Sequence, residues 1–68
     1  MRFSEFVRQI EDCDIVIYKD FTCVRNESGF YDTCKWDNDL RKPLVITFHT
    51  IEHAYNRMVR EYKLKSSI

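Results

Sequence analysis

The sequence predicts a single α+β domain over residues 1–68: a three-stranded antiparallel β-meander with an N-terminal and a C-terminal helix on one face, in the order α-β-β-β-α. Two observations predict this class. Apolar residues recur at helical spacing near both chain ends, and between them apolar and polar residues alternate as in half-buried strands. A chain of 68 residues has room for one small core, which its five Phe, four Tyr and one Trp help to fill.

The N-terminal helix is predicted over about residues 4–12. Ser4 is a favourable N-cap, and Glu5 interacts well with the positive end of the helix dipole. The apolar stripe of this helix consists of Phe3, Phe6, Val7 and Ile10. Acidic residues are unfavourable at a helix C-terminus, so the acids within residues 11–14 predict where the helix stops.

The C-terminal helix has the clearest pattern in the chain. Thr50 is a favourable N-cap at its start. The apolar positions then follow one helical face at i, i+3, i+4, i+7, i+8 and i+11, namely Ile51, Ala54, Tyr55, Met58, Val59 and Tyr62. Residues 65–68 are predicted to fray.

A β-hairpin is predicted between the helices. Residues 14–25 form one continuous strand in this interpretation, and residues 30–36 return beside it. Gly29 supplies positive φ for the turn, and a two-residue turn at Ser28 and Gly29 pairs residues whose numbers sum to 57. The resulting pairs are Cys23 with Cys34, Phe21 with Trp36 and Arg25 with Asp32. A longer turn would shift the pairing by two residues and keep the same faces.

The predicted sheet has one face under the helices and one open face; Pro43 suits the start of its third strand. The side chains predicted to face the helices are Ile15, Ile17, Phe21, Cys23, Cys34, Trp36, Leu44, Ile46 and Phe48. Those predicted on the open face are Val16, Tyr18, Thr22, Val24, Tyr31, Thr33, Val45 and Thr47. Such an apolar surface is either tolerated in solvent or binds a partner or a second copy.

The formal net charge is zero, but residues 1–39 carry nine acids and five bases, whereas residues 40–68 carry two acids and six bases. A zero total disfavours the strongly basic footprint of a nucleic-acid binder. No apolar run approaches the length of a membrane span, and the first residues lack the apolar core of a signal peptide. We therefore expect a cytoplasmic protein whose three cysteines are free thiols.

The sequence contains few features typical of a metal-binding or catalytic site. Cys23, Cys34, His49 and His53 are residue types that bind zinc, and the two histidines have H-x3-H spacing. The cysteines lie across a hairpin and are expected in the core, so two buried thiols are favoured over a zinc site or a cross-strand disulfide. No nucleophile elbow or phosphate-binding glycine loop is present. We expect no catalytic residue, no metal and no cofactor.

Two candidate binding surfaces emerge from the sequence. The first has Tyr18 and Tyr31 as aromatic anchors, because aromatic residues dominate interface hot spots. Its acidic members, which would steer it toward a basic groove, are Asp32, Asp37 and Asp39. The second is a basic face that consists of Arg41, Lys42, Arg57, Arg60 and Lys63. The alternative for the acids is a polar loop, and for the bases an ordinary solvated face.

Two families share the α-β-β-β-α order. The double-stranded RNA-binding domain has a lysine cluster at the start of its second helix, where this chain reads I-E-H-A-Y-N at residues 51–56, so that mode of RNA binding is not expected. The opening M-R-F-S-E-F-V-R-Q-I, followed by D-I-V-I at residues 14–17, is similar to openings of small phage-encoded anti-CRISPR proteins. This resemblance implies a small inhibitor and carries no specific motif.

The sequence thus favours a small non-catalytic protein-binding inhibitor of phage or mobile-element origin, which occludes a site on a larger protein or nucleoprotein. One alternative is a nucleic-acid-binding module that uses the basic C-terminal helix; its affinity would fall steeply with salt. The other is a homodimer that buries the open sheet face. No membrane partner is expected.

Overall fold

The computed structural model describes residues 1–68 and contains two helices and one four-stranded sheet. The elements are α1 (Phe3–Cys13), β1 (Ile15–Tyr18), β2 (Phe21–Arg25), β3 (Tyr31–Asp37), β4 (Lys42–Phe48) and α2 (Ile51–Glu61). The strands lie in the order β1-β2-β3-β4, and each is antiparallel to its neighbours. The α+β class and the antiparallel sheet are confirmed, whereas the prediction of three strands is wrong.

The fourth strand arises because the chain turns back at Lys19 and Asp20 inside the segment predicted as one strand. Lys19 has a φ of 53°, and Tyr18 pairs directly with Phe21 on the far side of the turn. Left-handed backbone is uncommon for a residue other than glycine, so a lysine gives no sequence signal for this turn. The prediction of one strand over residues 14–25 is therefore wrong.

This turn reverses the faces predicted for β1. Residues paired across β1 and β2 have numbers that sum to 39, so Val16 pairs with Cys23 and both are fully buried. Tyr18 shares the face of Val16, and the alternation of the strand turns Ile15 and Ile17 outward. The predicted positions of all four β1 side chains are wrong.

The β2–β3 connection is one residue longer than the two-residue turn predicts. Arg25 pairs with Tyr31, Asn26 N–H donates to Phe30 O (2.8 Å), and Gly29 sits at φ 81°. Gly29 N–H donates to Asn26 O (3.0 Å), which closes the turn. Paired numbers sum to 56 rather than 57. A shift of one residue moves every side chain of a strand to the other face.

The predicted faces of β3 are consequently wrong. Cys23 pairs with Thr33, which is buried beneath the helices, and not with Cys34. Cys34 and Trp36 lie instead on the open face. In β4 the predicted alternation is confirmed, since Leu44, Ile46 and Phe48 pair with Lys35, Thr33 and Tyr31 on the helix face.

Both helices contribute to one core. The cluster of buried apolar side chains consists of Phe6, Ile10, Val16, Phe21, Cys23, Ala54, Tyr55 and Met58. α1 packs beside β1, and α2 lies across β3 and β4. Thr50 caps α2 as predicted, because its Oγ1 accepts from His53 N–H (3.3 Å). The prediction for Ser4 is wrong, since the N-cap of α1 is Arg2, which makes no side-chain capping bond.

The C-terminal segment is held against the N-terminus, where fraying is predicted. Phe3 N–H donates to Ser67 Oγ (2.7 Å), and Tyr55 Oη donates to Met1 O (3.0 Å). Leu64 packs against the core cluster. The two ends of the chain therefore meet beside α2. Neither helix has the length and apolar character needed to cross a membrane.

Candidate protein-binding face

The open face of the sheet carries five of the nine large apolar side chains that are exposed to solvent. It is formed by the side chains that point away from the helices, namely Ile15, Ile17, Thr22, Val24, Asp32, Cys34, Trp36, Pro43, Val45 and Thr47. The pairing arranges them in three rows across the strands. The rows are Ile15–Val24–Asp32–Thr47, Ile17–Thr22–Cys34–Val45 and Trp36–Pro43.

Large apolar side chains on this face are open to solvent. Ile17 is 64% exposed, Val45 59% and Trp36 46%, and Ile15 and Val24 are exposed as well. These side chains lie on four neighbouring strands of one face, with Thr22 and Cys34 between Ile17 and Val45 in the middle row. A contiguous apolar patch on a small protein is a mark of an interaction site, whereas single exposed apolar residues are ordinary.

Charge is almost absent from the open face. Its one charged side chain is Asp32, whose Oδ1 accepts from Thr47 Oγ1 (2.6 Å) and from Asn26 Nδ2 (3.3 Å). These bonds hold the carboxylate within the row nearest the acidic end of the sheet. The middle row carries no charge, and Thr22 contributes its one hydroxyl group, so the charge of the open face lies toward its rim, as in protein–protein interfaces.

The two ends of the sheet differ in charge. The end with the β2–β3 hairpin, the C-terminus of α1 and the N-terminus of α2, which we call the acidic end, carries Glu11, Asp12, Asp14, Glu27 and Glu52. The opposite end, which we call the basic end, carries Lys19, Arg41, Lys42, Arg60 and Lys63. Four acids, Asp20, Asp37, Asp39 and Glu61, also lie at the basic end and reduce its net charge, and Arg25 lies at the acidic end, paired with Asp14.

The predicted aromatic anchors are not on the open face. Tyr18 and Tyr31 point toward the helices and are half-buried, so their predicted placement is wrong. Tyr18 packs edge-to-face against Tyr62 with ring centroids 5.1 Å apart. Trp36 and Ile17, which the sequence analysis placed in the core, take the exposed positions instead.

The predicted acidic residues are separated by the length of the sheet. Asp32 lies near the acidic end of the open face, whereas Asp37 and Asp39 lie in and after the last turn of β3 at the basic end. Asp37 Oδ1 accepts from the N–H groups of Asp39 and Leu40 (both 2.9 Å) and so shapes the β3–β4 loop. The structure does not gather these acids with Tyr18 and Tyr31 into one site.

Arg57, the middle residue of the predicted basic face, is buried. Arg57 is 2% exposed and points down onto the sheet. Its guanidinium donates to Thr33 O (2.9 Å), Thr33 Oγ1 (2.7 Å) and Leu44 O (3.0 Å). Glu61 Oε1 lies 3.8 Å from Arg57 Nε, which has no other polar partner. Arg57 therefore joins α2 to β3 and β4, and it is not available to a surface ligand.

The other predicted bases are exposed at the basic end. They are Arg41, Lys42, Arg60 and Lys63. Arg60 and Lys63 lie at the C-terminus of α2, where positive charge also interacts favourably with the helix dipole. This placement gives the exposed bases a structural reason to be there as well as a potential role in binding.

A polar cluster fastens α2 to the β1–β2 turn. Tyr62 Oη donates a hydrogen bond to Asp20 Oδ1, and Lys35 Nζ lies 3.6 Å from Asp20 Oδ2. The hydrogen bond from Tyr62 lowers the pKa of Asp20. Burial, together with the hydrogen bond to Asp20, raises the pKa of Tyr62. These groups are paired with each other, which makes the cluster a structural clasp.

The cysteines and histidines do not form a metal centre. Cys23 is buried, and burial raises the pKa of its thiol to about 12, while Cys34 lies on the opposite face and Cys13 is exposed at the end of α1. The predicted pairing of Cys23 with Cys34 is wrong, which also removes the disfavoured cross-strand disulfide. The expectation of two buried thiols is confirmed for Cys23 and wrong for Cys34. His49 stacks on Phe30 with ring centroids 4.4 Å apart. No three His, Cys, Asp or Glu side chains lie close enough together to hold a metal ion.

The surface has no enclosed pocket. Comparisons with protein-family models, curated proteins and solved structures find no match to this chain. The open face is therefore the candidate functional site of this molecule. The sequence holds one signal for it: the polar residues Lys19 and Asp20 separate the apolar run I-V-I-Y from the run F-T-C-V.

Proposed function

We propose that this protein is a non-catalytic binding protein whose open sheet face contacts a larger protein partner. The observation that carries the proposal is the contiguous apolar surface around Trp36, Ile17 and Val45, each of which is about half exposed or more. Removing apolar surface from water contributes about 25 cal/mol per Å² of favourable free energy, so a complementary partner gains most at this face.

Trp36 is the proposed anchor of the interface. Tryptophan is among the residues most enriched at interface hot spots, because a large rigid ring buries much area at a low cost in conformational entropy. Trp36 pairs with Pro43, and Cys34 and Val45 lie in the next row. A partner that covers this region would exclude water from Trp36 on all sides, which is the condition for a strong hot spot.

The biological effect that we propose is inhibition by occlusion of a site on the partner. The charges at the acidic and basic ends flank the apolar face, and such a polar rim suits orientation of a partner more than affinity. The free thiols of Cys13, Cys23 and Cys34 suit a reducing compartment, and we propose that the protein acts in the cytoplasm. The phage or mobile-element origin rests on the sequence resemblance, although the observed element order has one strand more.

Nucleic-acid binding by the basic end is the weaker alternative. Arg57 is withdrawn into the structure, and Asp37 and Asp39 share this end with the exposed bases. Fewer free cations mean fewer phosphates neutralised and a shallower dependence of affinity on salt.

The test is a pull-down from bacterial lysate with tagged native protein and two variants, with and without nuclease. The double variant Trp36→Ser, Ile17→Ser removes apolar area from the open face. Leu40→Ser is the matched control, because Leu40 is 55% exposed and lies in the β3–β4 loop outside that face. Circular dichroism and thermal unfolding verify that each variant is folded.

We expect native protein and the Leu40→Ser variant to retain a stoichiometric protein partner after nuclease treatment. We expect the open-face variant to bind it about tenfold more weakly or worse. A partner that the open-face variant retains at native affinity would overturn the proposal. A partner that is recovered only when nucleic acid is intact would also overturn the proposal, and it would favour nucleic-acid binding by the basic end.

A further inference from the structure

The outer edge of β4 is an unprotected strand edge. β4 has β3 as its one neighbour, so its other side is open. Natural proteins protect such edges with short strands, lysines, prolines or bulges. The opposite edge strand, β1, has four residues, but β4 has seven. Lys42 and Pro43 stand at the start of β4, and residues 44–48 contain neither charge nor proline.

The backbone groups at this edge follow from the strand pairing. The bond from Asn26 N–H to Phe30 O shows that even-numbered residues of β3 face β2, so odd-numbered residues of β3 face β4. Even-numbered residues of β4 therefore bond to β3. Pro43, Val45 and Thr47 point their backbone groups away from the sheet. Pro43 lacks an N–H at this outward position, so it costs no bond to β3.

Side chains on both faces of this edge are also exposed. Val45 is 59% exposed on the open face. Ile46 points toward the helices, yet it is 39% exposed because α2 does not cover the edge completely. A strand added beside β4 would cover apolar groups above and below the sheet while it satisfies the backbone groups of Val45 and Thr47.

We infer that β4 is the surface through which two copies of this chain pair, antiparallel and about a two-fold axis at Ile46, into one eight-stranded sheet. In this register Val45 of each copy pairs with Thr47 of the other, and each pair exchanges backbone N–H···O bonds. The N–H of His49 in each copy reaches the carbonyl of Pro43 in the other. The pairing uses the edge and not the open face, so it goes beyond the proposed function; its argument from the size of the open face rests on that function.

Charge favours a second copy as the occupant. An antiparallel pair reverses the direction of the sheet, so the basic end of each copy lies beside the acidic end of the other. Arg41 and Lys42 then approach Glu52 of the second copy near both ends of the new strand pair. Like charges do not face each other across the axis, because residues 43–48 carry none.

The size of the open face also favours pairing. The four strands hold 23 residues, and with about 3.3 Å along the strand and about 4.8 Å between strands for each residue the face has a footprint of about 360 Å². A standard protein–protein interface buries about 800 Å² on each partner. Two copies joined at β4 place their open faces side by side on one surface and reach this size.

The first test is site-specific cross-linking of the full chain. Cys13 and Cys34 are replaced by serine, and Ile46→Cys is added. Facing residues of a non-hydrogen-bonded antiparallel pair have Cα atoms about 4.5 Å apart, which lies within the range of about 4.4–6.8 Å that a disulfide spans. With diamide as the oxidant, two Ile46→Cys chains should form an intermolecular disulfide.

The matched control places the thiol one residue away. In the proposed register the two copies of residue 45 are diagonal neighbours, with Cα atoms about 7–8 Å apart. We therefore expect the Val45→Cys variant to cross-link about tenfold more slowly than the Ile46→Cys variant, although Val45 is the more exposed residue. Equal rates for the two variants would overturn the inference.

The second test is a charge exchange at the two-fold axis, followed by sedimentation equilibrium. Native protein should reach twice the chain mass of 8.3 kDa. Ile46→Lys and Ile46→Glu should each weaken self-association about tenfold or more, and an equimolar mixture of the two should recover it, because the axis brings position 46 of both copies together.

The outcomes distinguish the two proposals. A native chain that is monomeric at all concentrations overturns the pairing and leaves the Trp36 pull-down unaffected. A dimer that Trp36→Ser abolishes and Ile46→Lys does not would mean that copies pair through their open faces, which also overturns the inference. Loss of partner binding by Trp36→Ser in a dimer that persists supports both proposals.

Discussion

Arg57 offers the sharpest test of how α2 is attached to the sheet. Replacement by lysine keeps the positive charge in the same buried place, and replacement by methionine removes the charge but fills a similar volume. We expect Arg57→Lys to destabilise the fold more than Arg57→Met. The reason is that a buried charge needs all of its hydrogen-bond donors satisfied, whereas an apolar side chain of similar volume needs none.

The expected magnitudes follow from the three hydrogen bonds that Arg57 donates to Thr33 and Leu44. Each bond to a charged group contributes about 1.5–3 kcal/mol. An ammonium lacks the planar fork that reaches acceptors on two strands, so Arg57→Lys loses about two bonds, or about 3 kcal/mol or more. In Arg57→Met the two carbonyls keep their partners in the strand ladder and no buried cation remains, so the net loss is about 1 kcal/mol.

These losses are large for a chain of 68 residues, whose unfolding free energy is expected to be about 3–10 kcal/mol. Thermal unfolding followed by circular dichroism should show a Tm lower by about 15 °C for Arg57→Lys and about 5 °C for Arg57→Met. Arg60→Lys is the control. Arg60 is exposed on the same helix, so this substitution should leave the Tm unchanged. A lysine variant at least as stable as the methionine variant would refute the reasoning.

Three further measurements address Tyr62, Asp20 and the cysteines. The raised pKa of Tyr62 means that the unfolded chain loses this proton before the folded chain does. The stability that Tyr62 contributes is therefore complete below about pH 10 and falls as the pH rises further. Urea unfolding across that range should show a shallower fall in the free energy of unfolding for Tyr62→Phe. The lowered pKa of Asp20 contributes stability above about pH 4 that is lost as the pH falls through its folded pKa, and Asp20→Asn should flatten this acid limb. Thiol labelling with a maleimide, read by mass spectrometry, should modify Cys13 and Cys34 in the folded protein and Cys23 only on unfolding; rapid labelling of Cys23 would contradict its placement in the core and its pKa of about 12.

The sequence correctly predicts those helices and strands whose pattern lies entirely within their own residues. The spacing of apolar residues in α2 and the cap at Thr50 depend on neighbouring residues alone, and both are confirmed. The alternation in β4 is likewise local. In each case one period, 3.6 or 2 residues, fits without reference to another strand.

The errors come from turns, where one residue decides the orientation of a whole strand. Lys19 adopts positive φ without being a glycine or asparagine, so the polar pair Lys19 and Asp20 is the one weak cue in the sequence to the split between β1 and β2. Gly29 is correctly placed in a turn, but the sequence does not fix whether the turn has two or three residues. Each error shifts pairing by an odd number and exchanges the two faces.

These errors in the turns also misplace the residues predicted to bind a partner. The turn at Lys19 and Asp20 reverses the face predicted for Tyr18, and the longer β2–β3 turn reverses those predicted for Tyr31 and Trp36. Arg57 was predicted on the polar side of α2 because arginine is seldom fully buried, and its three acceptors on β3 and β4 become known only when the helix is docked. Long-range contacts of this kind carry no signal in a single sequence.

The meeting of the chain ends has a practical consequence for ring closure. Phe3 is hydrogen-bonded to Ser67, and Tyr55 donates to Met1 on the helix side of the molecule. A peptide linker of a few residues would therefore join Ile68 to Met1 and convert the chain into a covalent circle. Such a circle leaves the open face and the edge of β4 unobstructed. It also restricts the unfolded chain, whose loss of entropy on closure is the usual source of stabilisation by a cross-link.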